Sequence, residues 1–119
     1  MSIKLFDSEL KIMDLLWKEG GLSAKEIAGR LAASIGWSKT TTYTVIKKCI
    51  EKQALRRVDP GFICYPLITI EEARKAETNE LIDKMYGGSR DLLIASLLNE
   101  KAMTPEEIEK LKKLVRDLE

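Results

Sequence analysis

The apolar residues near the start of the chain recur at helical spacing. They fall on one face of a helix, at Leu10, Met13, Leu16 and Trp17. Asp7 precedes them as a candidate N-cap, and Gly20 with Gly21 follows them. The pattern therefore predicts a first helix over residues 8–18.

Two more helices are predicted next, each with its own start signal. Ser23 and Glu26 have the spacing of a capping box, which predicts a second helix over residues 24–33. After the break at Gly36, Ser38 is the candidate N-cap of a third helix over residues 39–53. The apolar residues of this third helix form one narrow stripe, made of Val45, Ile46, Cys49 and Ile50.

Turn-forming residues then separate two short apolar and basic segments, LRRV and FICYPL, with DPG between them. Strand-favouring residues around such a turn predict a β-hairpin. Three helices followed by a hairpin are the order of a winged helix-turn-helix, in which the third helix reads DNA. The expected fold class is mainly α with a small β-hairpin, an N-terminal winged helix followed by a C-terminal helical dimerisation region.

The polar side of the third helix is rich in threonine. At about 100° per residue, Thr42 falls beside the apolar stripe, whereas Thr40, Thr44 and Lys47 lie opposite it and Thr41 and Tyr43 flank the outer face. A plain surface helix would explain one threonine, not four among residues 40–44. Because threonine offers a hydroxyl and a methyl group to base edges, we interpret this face as a major-groove reader.

Basic residues around this helix are candidates for phosphate contacts. Strand alternation sends Arg56 and Arg57 to opposite faces, so we expect only one of them to meet DNA. The full predicted DNA-binding set is Lys25, Lys39, Thr40, Thr41, Tyr43, Thr44, Lys47, Arg56 and Arg57.

Three further helices are predicted in the C-terminal half. Thr69 and Glu72 begin one over residues 70–86, Ser89 begins the apolar segment DLLIASLLNE, and Thr104 begins the last helix. Their apolar faces require a large partner surface, which either a second copy or an intrachain lobe would supply, and we favour the second copy. The predicted domains are 1–68 for DNA binding and 69–119 for dimerisation. The predicted dimerisation residues are Leu81, Met85, Leu92, Leu93, Leu97, Leu98, Ile108, Leu111, Leu114, Val115 and Leu118.

Composition and charge agree with this division and argue against several other functions. Residues 1–68 hold 11 Lys and Arg against 7 Asp and Glu, giving +4, whereas residues 69–119 hold 9 against 12, giving −3. The chain has no histidine and no clustered catalytic groups, so we expect neither an enzyme nor a cofactor or metal. Cys49 and Cys64 lack metal-site spacing and are interpreted as small core residues. The N-terminus lacks the apolar segment of a signal peptide, and no apolar run reaches the roughly 20 residues that a membrane span needs. We therefore expect a cytoplasmic protein.

Four segments resemble the BlaI/MecI/CopY family of winged helix repressors over nearly the whole chain. They are ELKIMDLLWKEG, LSAKEIAGRL, SKTTTYTVIKKCIEKQAL and KMYGGSRDLLIASLL. Met13, Trp17, Thr41, Thr44 and the break at residues 86–88 fall in the family's order and spacing. The resemblance implies a homodimeric repressor on palindromic operators with TACA-type half-sites, relieved in some members by a sensor protease.

The sequence also departs from family patterns in three places. Tyr43 stands where the penicillinase repressors carry arginine, so operator preference is not carried over. The family's Asn-Phe cleavage bond matches Ser96-Leu97 here, which argues against cleavage by a β-lactam sensor protease. The copper-responsive members carry a C-terminal cysteine cluster, and residues 108–119 contain no cysteine. Direct copper sensing is therefore not expected.

A second functional class remains open from the sequence. The near-neutral total charge and acidic C-terminal half would also suit a winged helix that binds proteins without specific DNA binding. The salt dependence of DNA binding would separate the two classes, since contacts to phosphate weaken steeply with added salt.

Overall fold

The computed structural model describes residues 3–98 and 104–117, and this part of the chain folds into six helices and three short strands. The elements are α1 (Asp7–Glu19), β1 (Leu22–Ser23), α2 (Ala24–Ile35), α3 (Lys39–Glu51), β2 (Leu55–Val58), β3 (Ile63–Pro66), α4 (Ile70–Met85), α5 (Arg90–Leu98) and α6 (Pro105–Asp117). The mainly helical class with a small hairpin is confirmed.

The starts of the first two helices show one wrong prediction and one confirmed one. The N-cap of α1 is Phe6, not Asp7, because the Phe6 amide donates to Glu9 Oε1 at 2.7 Å and leaves Asp7 as the first helical residue. The capping box of α2 is confirmed, with Ser23 Oγ accepting from the Glu26 amide at 3.0 Å. The Ser23 amide in turn donates to Glu26 Oε1 at 3.2 Å.

The ends of α2 and α3 differ by two residues each from the predicted ends. Helix α2 continues to Ile35 and stops at Gly36, whose φ of 72° is in the left-handed region that glycine adopts without strain. Helix α3 stops at Glu51, where the amides of Gln53 and Ala54 donate to the carbonyls of Ile50 and Cys49, both at 2.9 Å. These paired bonds close α3 in a Schellman motif, which turns the chain directly into β2.

The three strands form an antiparallel sheet in the order β1-β3-β2. The predicted hairpin is confirmed, with Arg56 opposite Tyr65 and Arg57 opposite Cys64. Strand β1 was not predicted, because two residues are too few to show alternation; it pairs Leu22 with Cys64. A side chain at Gly21, just before β1, would collide with the Tyr65 ring, so glycine allows the close approach there.

One hydrophobic core joins α1, α2, α3 and the sheet. Its fully buried members include Ile12, Met13, Leu16, Ile27, Ile46, Cys49, Leu55 and Cys64. Burial raises the pKa of the Cys49 thiol to about 12, with the Glu9 carboxylate adding to the shift. Burial also raises the pKa of Cys64 to about 11. Both cysteines therefore stay protonated at neutral pH and behave as small core residues, as predicted.

The chain divides into two compact units, Met1–Ala73 and Arg74–Glu119. In the first unit, Trp17 Nε1 donates to the Ile68 carbonyl at 3.0 Å and Ala73 is buried, so the segment that starts α4 is held by the core. In the second unit, Ile82 is buried, but no described residue of α5 or α6 is. Among the described residues, no helix is long and apolar enough to cross a membrane.

Candidate nucleic-acid interface

The buried stripe of α3 fixes which of its side chains face solvent. Thr42, Val45, Ile46 and Cys49 are buried in the first unit. Ser38 Oγ accepts from the Thr41 amide at 3.1 Å, so Ser38 is the N-cap and Lys39 is the first residue of the helix. As a result, the exposed face carries Thr40, Thr41, Thr44, Lys47 and Lys48.

The four threonines of α3 are not equivalent. Thr42 lies in the core, and its hydroxyl oxygen has no protein partner, so it cannot contact DNA. Ser38 Oγ donates to Thr41 Oγ1 at 2.9 Å, which leaves the proton of the Thr41 hydroxyl free to be donated. The Thr44 hydroxyl donates to the Thr40 carbonyl at 2.9 Å and keeps its lone pairs as acceptors. The exposed helix turn therefore presents both a donor and an acceptor, as base-edge recognition requires.

A shallow open depression brings five of the predicted residues together. It is lined by Lys39, Thr40, Tyr43, Thr44 and Lys47. Lysines flank the hydroxyl groups there, so a polyanion can approach while polar groups with directional hydrogen bonds lie between the charges.

Tyr43 is only partly available to a ligand. Its ring is half-buried and meets the Phe62 ring edge-on, with centroids 5.9 Å apart and an angle of 65° between the ring planes. Lys39 Nζ lies 5.6 Å from the centroid of the Tyr43 ring. Tyr43 therefore also joins α3 to the hairpin, a role that the sequence pattern did not indicate.

The two hairpin arginines lie against different aromatic rings. The Arg56 guanidinium is 5.1 Å from the Tyr65 ring centroid, whereas the Arg57 guanidinium is 3.7 Å from that of Phe62. Arg57 Nε also donates to both carboxylate oxygens of Asp59, at 3.2 and 3.0 Å. The remaining predicted contact, Lys25, is exposed in the first turn of α2.

Two residues of the hairpin were missed as participants in this surface. Asp59 was interpreted only as a turn former, although its carboxylate binds Arg57 and accepts from the Phe62 amide at 3.3 Å. Phe62 was interpreted only as a strand residue. The only available signal was a carboxylate two positions after an arginine, which by itself does not distinguish a salt bridge from a turn.

The second unit carries the predicted dimerisation residues, and several large ones are exposed. Leu81, Met85, Leu92 and Leu114 are 43%, 67%, 57% and 58% exposed. Leu93, Leu97, Leu98, Ile108, Leu111 and Val115 are partly buried, and Leu118 lies outside the described residues. Ser96 and Leu97 lie inside α5, where the Tyr86 hydroxyl is 3.4 Å from Ser96 Oγ.

Comparisons with known proteins agree on one family. The family model described as Penicillinase repressor matches residues 5–117. The penicillinase repressor of Bacillus licheniformis is 23% identical over 116 residues, covering 96% of this chain and 91% of that protein. The methicillin resistance regulatory protein MecI of Staphylococcus aureus strain N315 is 22% identical over 114 residues, covering 94% of this chain and 93% of that protein.

A solved structure matches the fold. The solution structure of the DNA binding domain of the repressor BlaI superposes with a TM-score of 0.55 and 28% identity, covering 60% of this chain and 93% of that domain. The predicted winged helix is thus confirmed, and the matched family is one of transcriptional repressors rather than enzymes.

Proposed function

This chain belongs to the penicillinase repressor family of DNA-binding transcriptional repressors, and we propose that it acts as a homodimer on palindromic operators. One observation carries the DNA-binding part of the proposal. The exposed face of α3 presents threonine hydroxyls between lysines, next to a hairpin that carries two arginines. Such a surface combines directional hydrogen-bonding groups with positive charge.

The threonines and the basic residues have separate tasks in this proposal. Thr40, Thr41 and Thr44 read base edges in the major groove, with Tyr43 beside them. Lys25, Lys39, Lys47 and one of the two hairpin arginines contact phosphates, which position the helix but carry no sequence information. Affinity then depends mainly on the basic residues, and sequence preference on the threonines.

The homodimer part rests on the exposed apolar surface of the second unit. Leu92 and Leu114 are each more than half exposed. Helix α5 is apolar at most of its positions, whereas α6 is mainly charged and carries its few large apolar residues on one face. A second copy would remove these side chains from water at about 25 cal/mol for each Å² buried. Two linked winged helices would then match an operator with two half-sites. In this proposal, residues 1–68 bind DNA and residues 69–119 form the dimer.

Derepression would follow from loss of the dimer. A cut at the Ser96-Leu97 bond would divide the apolar residues of α5 without touching α3. A protease must first unfold this helix locally, and α5 has no buried side chain among its described residues to oppose that opening. We therefore propose a cytoplasmic repressor whose DNA affinity is switched off through its second unit. The further partner is a sensor protease with a cleavage specificity other than the Asn-Phe bond of the penicillinase repressors.

A binding experiment tests the proposed function. Fluorescence anisotropy with the whole chain should show tighter binding to a palindromic duplex, selected from the region upstream of its own gene, than to a scrambled duplex. Affinity for both duplexes should fall steeply between 50 and 200 mM salt, by about threefold for each phosphate contact. Equal affinity for the two duplexes at low salt would refute sequence-specific repression and favour a protein-binding winged helix.

Valine substitutions separate the threonines that face DNA from the one that does not. Thr41→Val and Thr44→Val each remove an exposed hydroxyl but keep the branched shape of the side chain. Each variant should bind the operator less tightly by about 1 kcal/mol and should lose less affinity for random DNA. The two affinities are measured on the same protein preparations by titration.

Thr42→Val is the matched control, because its hydroxyl is buried and has no protein partner. It should leave the ratio of operator to random affinity unchanged and raise the free energy of unfolding by about 1 kcal/mol. If all three variants change the affinity ratio alike, the threonines act through the folding of α3 and not through base contacts.

A further inference from the structure

The tip of the hairpin holds a charge pair whose position is fixed by its surroundings. Arg57 Nε donates to both carboxylate oxygens of Asp59, at 3.2 and 3.0 Å, and its guanidinium lies 3.7 Å from the Phe62 ring centroid. The side chains of Arg57 and Asp59 remain 47% and 58% exposed. The arginine is therefore oriented by an aromatic ring, while its charge is offset by a carboxylate that water can reach.

Phe62 connects this pair to the recognition helix. Its carbonyl accepts from the Ala24 amide at the start of α2 at 2.9 Å, and its amide donates to Asp59 Oδ1 at 3.3 Å. Its ring meets Tyr43 of α3 edge-on. Because Phe62 is held from three sides, Arg57 keeps its stacking partner whether or not Asp59 is bound to it.

We propose that Asp59 competes with DNA phosphate for Arg57 and so limits the affinity of the hairpin for DNA of any sequence. Carboxylate and phosphate present similar paired oxygens to a guanidinium, so either group can occupy the same donors. An exposed ion pair contributes little to stability, and a phosphate can therefore displace the carboxylate at small cost. The proposal rests on the function proposed above, since it assumes that the hairpin lies beside a DNA backbone.

The competition assigns different roles to the two hairpin arginines. Arg56 has no carboxylate partner among the described ion pairs and stacks on Tyr65, whereas Arg57 must release Asp59 before a phosphate can take its Nε donor and meet its full charge. Because phosphate contacts carry no sequence information, Asp59 lowers operator and random binding by the same factor. Asp59 therefore sets the total affinity for DNA, while α3 sets sequence preference.

Asp59→Asn provides a conservative test. The amide oxygen can still accept from the Phe62 amide, so the turn keeps its cap, but the charge that offsets Arg57 is gone. Affinity for operator and random duplex should rise by the same factor, severalfold at 50 mM salt. One added phosphate contact steepens the slope of log affinity against log salt by about 0.9, which makes the gain about threefold larger at 50 mM than at 200 mM salt.

Two comparisons decide whether the effect acts through Arg57. In an Arg57→Gln background, the same Asp59→Asn change should give less than half of that gain, on a logarithmic scale, because no guanidinium is left to release. Asp14→Asn, on the exposed side of α1, changes net charge equally and should leave the salt slope as in the unsubstituted chain. Thermal unfolding followed by circular dichroism verifies that each variant is folded.

The outcomes separate this inference from the function on which it rests. A gain that persists in full without Arg57, or that Asp14→Asn reproduces, would mean that Asp59 acts only as a negative charge and would overturn the competition. No gain at all, with normal operator binding by the unsubstituted chain, would overturn it as well. If the unsubstituted chain binds no duplex at low salt, the proposed function fails, and this inference fails with it.

Discussion

Replacing Lys52 with methionine should lower the free energy of unfolding by about 3 kcal/mol, because it leaves a buried carboxylate without its counter-ion. Glu9 is 1% exposed at the start of α1, and Lys52 Nζ lies 2.5 Å from its Oε1. Lys52 Nζ also donates to the Lys4 carbonyl at 2.8 Å and lies 4.0 Å from the Phe6 ring centroid. The pair thus joins the first turn of α1 to the end of α3.

Urea unfolding at pH 7 and fixed protein concentration measures this loss. Lys48→Met, one turn earlier on the exposed side of α3, is the matched control and should change stability by less than about 0.5 kcal/mol. Glu9→Gln keeps an acceptor for the Phe6 amide but removes the charge, so in that background Lys52→Met should cost less than about 1 kcal/mol. Similar losses for Lys48→Met and Lys52→Met would show that the pair does not determine stability.

Placing a charge on the apolar surface of the second unit should abolish the proposed dimer and with it most operator affinity. Leu92 of α5 and Leu114 of α6 are 57% and 58% exposed. Leu92→Asp and Leu114→Asp therefore remove little buried apolar surface from a single chain. In a dimer interface, each aspartate would be buried without a partner. Analytical ultracentrifugation should find monomers, and affinity for the palindrome should fall by about 100-fold or more.

Two controls identify the cause of that loss. Lys113→Asp, next to Leu114 and exposed on α6, introduces the same side chain away from the apolar residues and should leave a dimer. Affinity for a single half-site should be nearly the same for the two leucine variants and the unsubstituted chain, because α3 is unchanged. A leucine variant that stays dimeric, or a monomer that binds the palindrome fully, would contradict the proposed arrangement.

Much of the candidate interface was predictable because it follows from local periodicity. The stripe of Val45, Ile46 and Cys49 fixed the buried side of the third helix, and the opposite side followed from helix geometry. The position of Thr42 on the buried side was predicted in the same way and is confirmed. The assignment of nine residues to DNA contact stays a prediction, as does the dimerisation set.

Contacts between distant residues could not be predicted from the same patterns. Glu9 and Lys52 each resemble an ordinary surface charge in the sequence, and only the fold brings them together across 43 positions. The Asp7 cap was wrong for a different and local reason, since the Glu9 carboxylate accepts from the amide of Phe6, three residues earlier, and Phe6 is the N-cap. The pairing of Arg57 with Asp59 is local as well, but a spacing of two residues does not show whether the turn brings the two side chains together.

The sequence by itself determined the six helices, the hairpin, the exposed threonine face and the division of charge between the two halves. Each of these depends on residues within a few positions of one another, where helix and strand geometry dictate which side chains share a face. The tertiary structure alone decided that Tyr43 packs on Phe62 and that Lys52 neutralises Glu9. Those pairings depend on how elements pack in space, which local spacing does not encode.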